Sequence, residues 1–383
     1  MRHHVYFSPG MFGFGKLGSY NYFAHVEREL RERFAAAGHE LVPHVIEDLP
    51  TASIRRRSTR LAEFVQSTAV DRDPIHLLGH STGGLDARLV ASPSTTSIQA
   101  AQLSWLPRLR TITTMNTPHY GTPLASFFAT SNGQHVLAAL SMLTVAGLTL
   151  GATPLRATSV VLGFLQRGDL AFPFKVLMLD RAIESVVGMV DDAGRPEVRT
   201  FLSAIEEDQG SMLQLSPESM DLVVAGFEDR PGVRYQATAS MSPTPTPRRW
   251  AQTIGHPLRA LSLSMFYALH RLTANADERY PCHAHHGTPA GLRADYETQI
   301  TRTFGRVPEI ADNDGVVPFR SQLWGTLVWS GLGDHLDVLG HFRDEREDAP
   351  RETRHHDWLT SGSEFSQTQF SALMDAVASG MLG

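Results

Sequence analysis

The chain has 383 residues, of which 42% are hydrophobic. This allows either one large α/β domain with an insertion or two ordinary domains, and it excludes a disordered or low-complexity chain. A formal net charge of −6 without a long basic run excludes nucleic acid as an expected partner. The single cysteine, Cys282, excludes an intrachain disulfide framework.

Strand-like and helix-like segments alternate along the first third of the chain. The sequence enters its first strand without the charged and apolar regions of a signal peptide, so a cytoplasmic location is expected. Apolar spacing and turn residues predict helices over residues 24–37 and 54–69, and strands over residues 5–8, 39–46, 74–78 and 111–116. Such alternation is typical of an α/β fold with a mostly parallel sheet and helices on both faces.

The alternation breaks at about Ser126. Between residues 127 and 165 the only Asp, Glu, Lys or Arg is Arg156. The uncharged stretch, residues 136–150, is shorter than the roughly 20 residues that a membrane-spanning helix needs. We predict an inserted apolar helical lid over residues 127–226 within a single domain of residues 1–383, with a buried core helix as the alternative. Residues 233–239 then resume the strands, and residues around 258–272 are helical.

A serine lies where the apolar strand of residues 74–78 turns into a helix, in the stretch HLLGHSTGGLDARLV (residues 76–90). A serine hydroxyl is a weak nucleophile unless a base takes its proton and donors stabilise the oxyanion. A sharp strand-to-helix turn exposes the hydroxyl and directs the next N–H and the helix N-terminus at the developing charge. Gly79 and Gly83 would let this turn close. The pattern predicts that Ser81 is a nucleophile, and an idle serine in a glycine-packed turn is the alternative.

Six segments in this order resemble blocks of the bacterial triacylglycerol lipases, which have the α/β-hydrolase fold. The resemblance covers about residues 3–130 and 210–345, is weak in the insertion, and is absent from about the last 35 residues. The segments are HVYFSPGMFGFG, GHSTGGLDARLV, LRTITTMNTPHYGTPLASFF, LSPESMDLVVAGFEDRPGVRYQATAS, DNDGVVP and DHLDVLGHF.

The resemblance implies a role for each member of a catalytic triad. Ser81 matches the nucleophile, Asp314 the acid and His335 the general base, in the chain order expected of this fold. Asp312 is a rival for the acid. The rival bases are His341, His355 and His356, because spacing alone does not choose among the 18 histidines.

The resemblance also implies an oxyanion hole made by two backbone groups. The donors are the N–H of Met11 and the N–H of Thr82. The family usually has His-Gly where this chain has Pro9-Gly10, so the hydrogen bonding of this loop, and substrate preference with it, can differ from the family's.

A calcium ion near the base is a further implication, since Asp337 matches a calcium-binding aspartate of many of these lipases. Calcium takes six to eight oxygen ligands, and the sequence offers no convincing partner. Asp295 is only approximately placed, and His341 stands where an oxygen ligand is expected. An aspartate that caps the loop is the favoured interpretation, and no cofactor is otherwise expected.

A second group of possible metal ligands lies within five residues of the sequence: Cys282, His283, His285 and His286. These residues are more crowded than the ligands of a usual structural zinc site, so a polar loop is favoured over a zinc site.

These features predict a serine carboxylic-ester hydrolase, a lipase or esterase, that acts through an acyl-enzyme on hydrophobic acyl esters. The lid is expected to make transient contact with lipid surfaces. An acyltransferase with the same triad is one alternative. A non-catalytic protein that binds a hydrophobic ligand in the same fold is the other.

Overall fold

The computed structural model describes most of the chain outside the predicted lid. The described residues are 1–11, 16–17, 20–47, 51–95, 103–130, 136–141, 143–144, 208, 210–275, 292–343 and 355–383, with scattered positions between 133 and 203. The predicted polar loop at Cys282 falls outside them.

Six parallel strands form the central sheet, in the spatial order β4-β1-β5-β6-β7-β8. Two short strands, β2 and β3, pair antiparallel in a hairpin after β1. Chain bounds are β1 Arg2–Ser8, β2 Lys16–Leu17, β3 Tyr20–Asn21, β4 Glu40–Val45, β5 Ile75–His80, β6 Leu109–Met115, β7 Arg234–Met241 and β8 Thr326–Leu332. Every residue of β5 is buried, as expected for a parallel strand that is covered on both faces.

Ten α-helices have both of their ends among the described residues, and helices cover both faces of the sheet. Their bounds are α1 Ala24–Ala36, α2 Ile54–Thr68, α3 Thr82–Ala91, α4 Pro123–Phe128, α5 Gly210–Gln214, α6 Pro217–Ala225, α7 Pro247–Ala251, α8 Pro257–Thr273, α9 Ala294–Phe304 and α10 Gln367–Leu382. Because side chains of a strand alternate between faces, Val5 and Phe7 of β1 join the core that contains α1 and α10. Tyr6 joins the other core, which contains α2 and part of α3. The predicted α/β-hydrolase fold is therefore the observed one.

Several loops that follow the strands meet at the carboxyl edge of the sheet. Pro9 and Gly10 follow β1, Ser81 follows β5, and His335 lies shortly after β8. Asp314 reaches the same edge, because the N–H of Ser242, just after β7, donates to the carbonyl of Asn313 at 2.9 Å. Ligand sites of open α/β sheets lie at this edge.

The predicted lid falls mostly outside the described residues. Within it, residues 136–141 and 143–144 are buried. Trp358 Nε1 donates to Thr144 Oγ1 at 2.9 Å, so this stretch packs against the C-terminal part of the chain. The lid itself stays a prediction. Among the described residues, no helix is both long enough and apolar enough to cross a membrane.

Candidate active site

Ser81 occupies a tight turn between β5 and α3. Its φ of +55° and ψ of −127° put a non-glycine residue in a sparsely populated region, a strain that persists only where the surroundings enforce it. A Cβ on Gly79 would lie 2.2 Å from the carbonyl of Gly83, and a Cβ on Gly83 would lie 2.0 Å from the carbonyl oxygen of Ser8. Both positions therefore require glycine. The N–H of Ser81 donates to the carbonyl of Met115 at 2.8 Å, which ties the turn to β6.

Asp314 and His335 form a buried pair. His335 Nδ1 lies 2.7 Å from Asp314 Oδ2, and both side chains are at most 2% exposed. The N–H of His335 also donates to the carbonyl of Asp314 at 3.0 Å. With the Nδ1 proton directed at the carboxylate, Nε2 remains the acceptor nitrogen, which is the tautomer that a general base needs. Among the described residues, Nε2 of His335 has no hydrogen-bond partner.

The carboxylate of Asp314 accepts four further hydrogen bonds. Oδ1 accepts from the N–H groups of Val316 at 2.9 Å and Val317 at 2.7 Å. Oδ2 accepts from Asn116 Nδ2 at 2.9 Å and Gln322 Nε2 at 3.2 Å. Donors on all sides hold the carboxylate in one orientation and offset the removal of its charge from water.

His335 lies next to the serine turn, but no hydrogen bond joins the Ser81 hydroxyl to His335 Nε2 in this structure. His80, which precedes Ser81, makes the contact between the serine turn and His335. Its Nε2 lies 2.9 Å from the carbonyl oxygen of His335, and the two imidazole centroids are 4.7 Å apart. Catalytic hydrogen bonds are often long before substrate binds. Ser81 is 6% exposed, so solvent reaches part of it.

The two predicted oxyanion donors flank the serine. Thr82 is the first residue of α3, where the leading N–H groups have no partner within the helix. On the other side the loop after β1 touches Ser81, because a Cβ on Gly10 would lie 2.7 Å from Ser81 Cβ and 3.3 Å from its Oγ. Met11 follows directly and is 8% exposed.

Three of the rival residues, Asp312, His341 and His355, contact other groups. Asp312 pairs with Arg306, whose Nη1 and Nη2 reach its carboxylate at 2.6 and 2.9 Å. His341 and His355 pack around His25, with ring centroids 5.9 and 4.1 Å from it. Burial lowers the pKa of His341 to about 3.

Sequence reasoning missed Asn116 and Gln322, which bind the Asp314 carboxylate. Asn116 carried a signal, since it is a polar residue directly after β6, at the same edge as Ser81. It also has a φ of +48°, a conformation that asparagine tolerates better than most residues. Gln322 carried none, because its position depends on the fold of the loop before β8.

Asp337 lies in a cluster of carboxylates. One oxygen from each of Asp334, Asp337 and Asp357 lies within 4.8 Å of the others. Burial raises the pKa of Asp337 to about 7, and burial and then the Asp337 charge raise the pKa of Asp334 well above its usual value. Asp334 Oδ2 is buried without a hydrogen-bond partner among the described residues. Asp295 is not part of the cluster; it is exposed and pairs with Arg293 at 2.6 Å.

Asp337 also caps the loop that carries His335. Its Oδ2 accepts from the N–H of Asp334 and from the hydroxyl of Ser363, both at 2.7 Å. The same carboxylate of Asp337 therefore caps this loop and belongs to the group of carboxylates that could hold a cation.

No protein-family model and no curated protein matches this sequence. Bacterial lipases and esterases are among the similar solved structures. They include EstA from Clostridium botulinum, with 13% identity, a TM-score of 0.49 and coverage of 98% of this chain and 87% of that one. Lipase 1 from Pelosinus fermentans has 14% identity, a TM-score of 0.49 and coverage of 98% of both chains. Staphylococcus hyicus lipase has 16% identity, a TM-score of 0.49 and coverage of 99% of this chain and 94% of that one.

Proposed function

We propose that this protein is a serine carboxylic-ester hydrolase of the lipase or esterase type. The observation that carries the proposal is the strained turn at Ser81 beside a buried Asp314–His335 pair whose Nε2 is left as an acceptor. A histidine of this tautomer suits proton transfer from a serine, and a fixed carboxylate suits the imidazolium that results.

In the first step, Ser81 Oγ attacks the acyl carbonyl of an ester while His335 Nε2 takes the hydroxyl proton. Asp314 orients the imidazolium and stabilises its charge. The N–H groups of Met11 and Thr82 donate to the oxyanion, and His335 then returns the proton to the leaving alcohol. Water then attacks the acyl-enzyme while His335 Nε2 takes a proton from it. His335 returns the proton to Ser81 Oγ, and the acid is released. The hydrogen bond between Ser81 Oγ and His335 Nε2 would form when the substrate binds.

A fluorophosphonate labelling experiment tests the proposal. We expect one equivalent of label on Ser81, because a fluorophosphonate requires an activated serine and mimics the tetrahedral intermediate. Intact-mass and peptide mass spectrometry measure the stoichiometry and the position. Unlabelled folded protein would instead support the non-catalytic binding protein. An alcohol acceptor added to the ester assay separates hydrolysis from acyl transfer, because a transferase yields the new ester in place of the free acid.

We further propose that the carboxylate cluster of Asp334, Asp337 and Asp357 holds a calcium ion. Calcium prefers carboxylate oxygens, and the buried oxygen of Asp334 that has no partner among the described residues is the kind of group a cation satisfies. When bound, calcium would offset two of the three carboxylate charges and tie the loop around His335 to the C-terminal segment that carries Asp357.

Addition of calcium is expected to raise the melting temperature of chelator-treated protein by several degrees. A ligand at a hundred times its dissociation constant adds about 2.7 kcal/mol to stability. Calorimetric titration and thermal melts of the wild type, Asp337→Asn and Asp295→Asn measure the effect. Only Asp337→Asn should lose it, since Asp295 lies outside the cluster. An equal response of both variants, or none from the wild type at millimolar calcium, contradicts the site.

A further inference from the structure

A buried ion pair supports the loop that precedes the proposed oxyanion donor. Arg57 of α2 and Asp86 of α3 are both completely buried, and Arg57 Nε and Nη2 reach Asp86 Oδ2 at 2.9 and 2.8 Å. Arg57 Nη2 also donates to the carbonyl of Pro9 at 2.5 Å. Ser8 donates its hydroxyl to the same carboxylate oxygen at 3.0 Å. Since a buried ion pair is often no better for stability than apolar residues, its contact with the Pro9 carbonyl suggests a positional role.

A second buried network reaches the same loop from Tyr22. Its hydroxyl lies 2.8 Å from His80 Nδ1, and His80 Nε2 lies 2.9 Å from the carbonyl of His335. A carbonyl only accepts, so Nε2 carries a hydrogen. Burial lowers the pKa of His80 well below its usual value, and in the neutral ring Nδ1 accepts the hydroxyl hydrogen of Tyr22.

The Tyr22 hydroxyl oxygen lies against Gly10, since a Cβ on Gly10 would lie 3.1 Å from it, and there it is placed to accept the backbone N–H of Gly10. One hydrogen-bond chain thus runs from Gly10 through Tyr22 and His80 to the backbone of the proposed base. It connects the loop after β1 with the loop after β8, and Ser81 directly follows His80 in the sequence.

Both networks end on the same planar group. The carbonyl of Pro9 and the N–H of Gly10 belong to one trans peptide, so they point in opposite directions. Arg57 holds the first and Tyr22 holds the second. The next N–H along the chain is that of Met11. Pro9 has neither an N–H nor a polar side chain with which to fix the loop.

We propose that Tyr22 and Arg57 are positioning residues that clamp the Pro9–Gly10 peptide, so that the N–H of Met11 faces the oxyanion of the acyl-transfer transition state. The inference rests on the proposed ester hydrolysis. Neither side chain has to touch the substrate; both act through the backbone. A donor held in place before reaction stabilises the transition state more than the bound ester, so the clamp affects turnover and leaves substrate binding nearly unchanged.

The test compares Tyr22→Phe with Tyr6→Phe. Each removes one buried hydroxyl, but that of Tyr6 bonds Thr68 Oγ1 on the other face of the sheet, at 2.9 Å. For a soluble short-chain ester, Tyr22→Phe should lower kcat by about tenfold or more and keep KM within about twofold, because one oxyanion donor is worth about a hundredfold or more when lost outright. Tyr6→Phe should change neither constant beyond about twofold.

The outcomes separate this proposal from the proposed function. If the wild type hydrolyses esters and is labelled at Ser81, but folded Tyr22→Phe keeps its kcat, the clamp is refuted and the hydrolase stands. If the wild type shows neither activity nor labelling, both proposals fail. Arg57→Lys carries the test if Tyr22→Phe does not fold, as judged by circular dichroism. Lysine keeps the charge beside Asp86 but lacks the planar fork that also reaches Pro9, so a folded variant with wild-type kcat also overturns the clamp.

Discussion

Replacement of Ser81 by alanine is expected to lower ester turnover by about a millionfold, the scale of loss when a triad serine is removed from another serine hydrolase. Without the hydroxyl there is no nucleophile, and His335 cannot supply one. Turnover of a chromogenic short-chain ester by the purified variant measures the effect. The fold should persist, because alanine has the same Cβ as serine and suffers the same strain at a φ of +55°.

Ser67→Ala provides the matched control for this substitution. Ser67 lies on the exposed side of α2 and bonds only locally, to the carbonyl of Phe64 at 2.9 Å. Its removal should leave turnover and melting temperature unchanged. Retention of even a tenth of wild-type activity in the Ser81→Ala protein would be incompatible with Ser81 as the nucleophile.

Asp314→Asn is expected to lower kcat by about ten-thousandfold, as the same change does in a serine protease triad. The amide keeps the volume of the carboxylate, but it no longer holds the imidazole with hydrogen on Nδ1 and a free acceptor at Nε2. The imidazolium also loses its counter-charge. KM should change little, since Asp314 is completely buried and its role is confined to the base.

Asp312→Asn is the matched control, because it makes the same replacement at the rival acid. Asp312 lies nearer the surface and its carboxylate pairs with Arg306, an interaction worth at most about 1 kcal/mol near the surface. Steady-state kinetics should show nearly wild-type turnover. An inactive Asp312→Asn beside an active Asp314→Asn would reverse the assignment of the acid.

Much of the sheet was predictable because its signals are local. The strand after residue 74 and the helices that begin at Ala24 and Ile54 follow from apolar periodicity and turn residues. Helix α10 was not predicted. Its buried residues, among them Phe370 and Met374, pack with α1 and the sheet. Their apolar face can be read from the sequence, but the layer it joins depends on residues more than 300 positions away.

In the candidate site, too, some residues were identifiable from local sequence and others were not. Ser81 was identifiable from the residues around it, since the turn requires glycine at Gly79 and Gly83. Asp314 and His335 entered through the resemblance, because spacing did not exclude Asp312 or the other histidines. Only the fold brings His335 to a carboxylate, that of Asp314. Tyr22 and Arg57 carried no signal, since the groups that they meet on the loop after β1 are backbone groups, which any residue supplies.

The sequence by itself determined the alternation of strands and helices, and with it the parallel sheet and the serine at the carboxyl end of β5. Those features depend on side-chain periodicity and on close contacts within a few residues. The tertiary structure decided which acid meets which base, which carboxylates join Asp337, and what holds the Pro9–Gly10 peptide. Each of these depends on groups far apart in the chain, and only packing the helices onto the sheet brings such groups within hydrogen-bond distance.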